Sequence, residues 1–209
     1  MAKDFWTIPR LWHGDTCAII GGGPSAKDIA IEDLRPVRVI AVNMAFRLAD
    51  WFDVAFYGDP QFPHRYGQGI ERYPGLVVTV REEHIGRPGI KVVQRSLLTG
   101  LSKDPRRLMW NLNSGSCAIN LATLLGAGKI ILIGFDMQKV EGRNNYHDHY
   151  AKDNPTMDYG RPLGCFPAIA RDLDALGVSC INTCLTSAIE VFPKMTLEEA
   201  LATKGVVTC

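Results

Sequence analysis

The sequence has no apolar run approaching the roughly 20 residues that a bilayer-spanning helix requires. Its first segment, Met1 to Trp12, lacks the apolar core of a secretory signal. An excess of either charge is also missing. Lys and Arg number 23 against 22 Asp and Glu, for a net charge of +1, which removes bulk electrostatic attraction to nucleic acid. No G-x-x-x-x-G-K-[S/T] occurs, which excludes a Walker-type nucleotidase. There is no internal repeat and no low-complexity linker. A cytoplasmic protein without a membrane span is the expectation, with homo-oligomer formation left open.

Cysteine is present but not as a disulfide framework. The six residues, Cys17, Cys117, Cys165, Cys180, Cys184 and Cys209, do not belong to a small secreted scaffold, and reduced thiols are expected. Cys180 and Cys184 have no second pair, so they do not suggest a zinc site.

What is there is an ordinary globular composition: 209 residues, 46% hydrophobic and 22% charged. Residues 1–14 read as a lead-in and 15–209 as one domain. Short, continuous apolar runs predict buried parallel strands at Thr16–Ile20, Val37–Val42, Val54–Tyr57, Leu76–Val80, Ile90–Gln94, Lys129–Ile133 and Val178–Ile181. Helices are expected over Ser25–Leu34, Met44–Ala49, 114–125, Phe166–Leu176 and, capped by Thr196, up to Ala202. Segments 61–75, 102–113 and 137–163 read as irregular. Strands alternating with helices predict an α/β fold with a mostly parallel sheet flanked by helices, in a single domain.

In such sheets ligands bind beyond the carboxyl ends of the strands. The first strand ends in Gly21-Gly22-Gly23-Pro24-Ser25. Glycines permit close approach of a ligand, and Pro24 suits the first turn of a helix whose free N–H groups attract anions. This is read as a phosphate-binding turn. The G-x-G-x-x-A match suggests a dinucleotide, but that fingerprint needs an acidic residue after the second strand, and Asn43 stands there. Asn113-Ser114-Gly115-Ser116 forms either a second phosphate cradle or a simple helix cap. Tyr146-His147-Asp148-His149 is the densest titratable cluster, and His147 and His149 are candidates for acid–base catalysis. Arg143 is a candidate phosphate clamp. Asp59 and Asp136 follow two strand ends. They complete a Mg²⁺ site with substrate phosphates or else cap the next segments.

In order and spacing, Gly21-Gly22-Gly23-Pro24-Ser25, Val42-Asn43-Met44-Ala45-Phe46, Tyr57-Gly58-Asp59-Pro60, Asn113-Ser114-Gly115-Ser116 and Ile133-Gly134-Phe135-Asp136 resemble the DUF115 superfamily. That group includes the archaeal MptE-like hydroxymethylpterin diphosphokinases and the sialyltransferases of glycosyltransferase family 42; the short length looks like phage or prophage members. The resemblance covers about Thr16 to Ala202. It implies a Rossmann-like nucleotide-binding transferase domain whose CMP-sugar site is lined by Gly21–Ser25, Asn43, Asp59 and Ser114-Gly115, with Tyr146 matching a phosphate-holding tyrosine. The family's catalytic histidine precedes the helix at Phe166. This sequence has Tyr159-Gly160-Arg161-Pro162 there, and His147 or His149 would substitute. The implied activity is glycosyl transfer from a nucleotide sugar to an unidentified acceptor, with His149, His147 and Asp136 as candidate catalytic groups. The alternatives are a Mg²⁺-dependent diphosphokinase and a non-catalytic nucleotide-binding module of a phage or surface-modification pathway.

Overall fold

A computed structural model describes residues 3–65, 67–149 and 158–203. Its centre is a seven-stranded sheet: β1 (Thr16–Ile20), β2 (Arg38–Val42), β3 (Val54–Tyr57), β4 (Leu76–Thr79), β5 (Ile90–Val92), β8 (Lys129–Ile133) and β9 (Ser179–Asn182), ordered β5-β4-β3-β2-β1-β8-β9. Every neighbouring pair is parallel. Because both faces are covered, these strands need no polar alternation, and β1, β2, β3 and β8 are almost wholly buried. The fold is the expected single-domain, Rossmann-like α/β arrangement.

The chain builds from β1 outward to β5, then returns to lay β8 and β9 on the other side of β1. The segments leaving β1 and β8 therefore diverge, and a crevice opens at this reversal. On one face, Cys17 and Ile19 of β1 meet a core that includes Ile119, Leu125 and Phe166. On the other, Ala18 and Ile20 meet Leu34, Phe46, Phe62 and Ala200.

The first of these faces is covered by α2 (Ser114–Leu125), buried nearly all round. Asn113 caps it, its Oδ1 accepting the Ser116 N–H at 3.1 Å, and Gly126 ends it at φ 104°. Mid-helix Asn120 is fully buried, yet its Oδ1 accepts the N–H groups of Ser102 and Met109 at 2.9 and 3.0 Å. This ties to the helix a second, two-stranded sheet of β6 (Gln94–Ser96) and β7 (Arg107–Met109). The polar segment 102–113 concealed β7 because short polar strands lack a hydrophobic signature.

Other expectations change. No α-helix spans Ser25–Leu34. Two 3₁₀ turns, Pro24–Ala26 and Ile31–Leu34, stand there, held by i→i−3 bonds such as Lys27 N–H to the Pro24 carbonyl. A 3₁₀ turn at Asn43–Arg47 likewise replaces the short helix after β2. Short helices α1 (Phe62–Arg65) and α3 (Gly160–Leu163) lie in segments read as irregular. The helix after α3 is α4 (Phe166–Ala175), and α5 (Leu197–Ala202) starts with a capping box between Thr196 and Glu199. The lead-in packs through buried Ile8 and Trp12, and Trp6 N–H bonds the Val92 carbonyl. The five described cysteines are free and buried; Cys209 and residues 150–157 of the predicted long loop lie outside the described residues. Among the described residues no helix is long and apolar enough to cross a membrane.

Candidate functional site

A cavity of about 550 Å³ opens at the sheet reversal. Of the residues singled out from sequence, Gly21, Gly22, Gly23, Asn43, Asp59, Asn113, Ser114, Gly115, Asp136 and His147 line it. Pro24, Ser25, Ser116, Arg143, Tyr146 and His149 are not among its lining residues.

The glycine turn after β1 differs from its expected use. A Cβ on Gly23 would collide with the Asp136 carboxylate, and one on Gly21 would stand 3.2 Å from the Phe135 ring. The same ring lies 2.8 Å from where Gly115 would carry a Cβ. Phe135 is thus wedged between the β1 turn and the start of α2, and the missing side chains of Gly21, Gly23 and Gly115 give room to it and to the Asp136 carboxylate. Ser25 gives its N–H (3.0 Å) and hydroxyl (2.7 Å) to Asp136. The anion at this turn is the protein's own carboxylate.

The start of α2 is different. Its cap satisfies Ser116, but among the described residues the N–H groups of Ser114 and Gly115 have no partner. A twelve-residue helix directs its dipole at this point. Both of the turns singled out from sequence thus border the cavity, and the one at α2 has unpartnered N–H groups there.

Across the cavity Asn43 has φ 52°, and its buried Oδ1 has no hydrogen-bond partner among the described residues. Asn tolerates this backbone region better than most residues. An unpaired buried acceptor nonetheless costs roughly 1–3 kcal/mol, and such costs cluster at functional sites. Asp59 closes its own turn by accepting the Gln61 N–H at 2.7 Å. Asp136 has both carboxylate oxygens engaged by Ser25 while Asp59 uses one, and the described residues contain no group of three or more His, Cys, Asp or Glu able to hold a metal. Protein groups alone therefore do not make a Mg²⁺ site here.

The loop at 143–149 divides its roles. Tyr146 N–H bonds the Gly22 carbonyl at 3.0 Å, seating the loop on the β1 turn, and burial raises its phenol to about 12. His147 lines the cavity. Burial, reinforced by nearby His149, lowers its pKa to about 4, so at neutral pH it is an uncharged imidazole able to accept a proton. The His149 ring is 5.2 Å from that of His147 but is exposed. Arg143 is exposed and pairs with Asp148.

Sequence reasoning missed three contributors. Tyr159 lines the cavity and gives its hydroxyl to Asn144 at 3.0 Å; burial, then Asp136, raises its pKa. It opens the Tyr159-Gly160-Arg161-Pro162 stretch before the Phe166 helix, and that stretch was the available signal. Asn145 lies over Gly22, its Oδ1 3.1 Å from where a Cβ would be. Trp110 also lines the cavity. Nothing in the polar run around it marks that role.

No family model matches the chain, and no curated protein sequence matches it. Solved structures do. Sialyltransferase CstII from Campylobacter jejuni, in complex with cytidine-5'-monophosphate, is 15% identical with a TM-score of 0.56, covering 88% of this chain and 86% of that one. CstII with a trisaccharide acceptor and CMP gives 14%, 0.53, 87% and 86%. The monofunctional α-2,3-sialyltransferase Cst-I of the same organism gives 15%, 0.55, 86% and 80%. At these identities the likeness establishes a shared fold. These neighbours are family 42 sialyltransferases, the transferase branch of the resemblance read from the motifs.

Proposed function

We propose that this chain is a transferase that moves a glycosyl group from a CMP-linked sugar to a hydroxyl acceptor. The observation that carries this reading is the convergence, on one cavity at the sheet reversal, of an open α2 start, the unpaired Asn43 acceptor and a neutral histidine. The fold shared with enzymes solved with CMP and with a trisaccharide acceptor supports the donor and acceptor classes.

In this reading the donor phosphate lies at Ser114 and Gly115, whose N–H groups stabilise the charge that grows as the glycosyl bond breaks. His147 takes the proton of the acceptor hydroxyl. The acceptor oxygen bonds to the anomeric carbon, and CMP leaves with the electrons of the broken C–O bond. Tyr159, held by Asn144, lines the same space and orients the reacting groups. The diphosphokinase alternative relied on Asp59 and Asp136 as Mg²⁺ ligands, and both oxygens of Asp136 are engaged by Ser25. Membership of the wider DUF115 group and a phage-type origin stay within this proposal.

The deciding experiment is a thermal-shift screen with CMP, CDP, UDP, GDP and ATP, with and without Mg²⁺, followed by CMP release from a CMP-sugar with an oligosaccharide acceptor. Stabilisation by CMP without Mg²⁺ is expected, about 2.7 kcal/mol at a hundredfold excess over Kd. A response to ATP and Mg²⁺ alone would reject the glycosyl reading.

A further inference from the structure

Trp110 directly follows β7 and precedes the α2 cap by three residues, so it joins the secondary sheet to the helix start. Its ring fills the space where Gly58 lacks a Cβ, and the hydroxyl of Ser114 is 3.3 Å from that same point. The aromatic ring and the proposed phosphate position are therefore neighbours. The Arg95 guanidinium, from β6, lies over the ring at 5.8 Å from its centroid. The ring's backbone is fixed by Trp110 N–H to the Ser96 carbonyl at 2.9 Å. A half-buried tryptophan held at one edge, with a cation over it, is a preorganised stacking surface.

We propose that Trp110 is a specificity-determining residue that stacks on a ring of the donor, with Arg95 holding the indole in place. The inference rests on the donor reading above and deepens it. The ring is either the nucleobase or the transferred sugar, since both offer a flat or apolar face to an indole.

Of the four tryptophans, Trp110 alone lines this cavity among the described residues. Titration of the full chain with CMP and with a CMP-linked sugar, followed by calorimetry and tryptophan fluorescence, tests the proposal. Ligand quenches wild-type fluorescence. Trp110→Phe abolishes the quench while keeping affinity within about threefold, because a ring remains. Trp110→Ala weakens binding by about tenfold or more. Arg95→Gln, an exposed change, weakens it by about two- to fivefold. Equal loss with both ligands in Trp110→Ala identifies the base as the stacked ring, and loss with the nucleotide sugar alone identifies the sugar. Unchanged affinity for both ligands in Trp110→Ala, or a quench that persists in Trp110→Phe, overturns this inference while leaving the donor reading intact. No binding of either ligand by the wild type overturns both.

Discussion

Asp136 reaches across the sheet reversal to Ser25, accepting its N–H at Oδ1 (3.0 Å) and its hydroxyl at Oδ2 (2.7 Å). The two segments that part company after β1 and β8 are thereby latched, aided by Gly23 N–H to the Gly134 carbonyl at 2.9 Å. The latch shapes one wall of the cavity, while among the described residues the Ser114 and Gly115 N–H groups at the α2 start have no partner.

Removing the latch should cost stability before it costs chemistry. Asp136→Asn removes the charge that assists both bonds: its Oδ1 still accepts the Ser25 N–H, while its Nδ2 donates to a hydroxyl that must turn to accept. A loss of about 1–3 kcal/mol is expected in urea unfolding. In a double-mutant cycle with Ser25→Ala, the two changes should be strongly non-additive. Simple additivity would show that the contact does not couple the two turns.

Phe135 sets a steric test. Gly115→Ala places a methyl 2.8 Å from its ring, and destabilisation of about 1–3 kcal/mol follows from overpacking. Adding Phe135→Leu should recover part of the lost melting temperature. Gly115→Ala with wild-type stability would mean that the ring yields at little cost.

Asn43 should trade stability for binding. Asn43→Gly relieves the positive φ and deletes the unpaired acceptor, so the free protein should melt at the same or a higher temperature. CMP affinity should fall by about tenfold if Oδ1 is a ligand contact. A variant that binds CMP as tightly as the wild type removes Asn43 from the site.

His147 gives a pH signature. Its folded pKa of about 4 lies below the ordinary 6.5, so on acidification the unfolded chain takes up the proton first. Its contribution to stability is intact above about 6.5 and declines as pH falls toward 4. His147→Gln should reduce the difference between urea midpoints measured at pH 7 and pH 4.5. An identical acid dependence in both proteins would show that His147 does not titrate as its burial requires.

The sheet was legible because continuous Val, Ile and Ala runs have few other ways to be satisfied. Thr16–Ile20, Val54–Tyr57 and Lys129–Ile133 begin and end where the pattern says. Capping chemistry is equally local, so Asn113 and Thr196 announced α2 and α5. The sequence by itself thus determined the α/β class, the parallel order of strand and connection, and which residues stand at strand ends. It did not determine what those residues face. The glycines at 21, 23 and 115 were visible, but whether such a position admits a ligand, a phenyl ring or a carboxylate depends on partners 20 or more residues away. Only the tertiary structure gave Ser25 to Asp136, set Phe135 between two turns, and brought Trp110 and Tyr159 to the cavity. Periodicity and capping act over a few residues, whereas the contents of a crevice at a sheet reversal are fixed by contacts between distant segments.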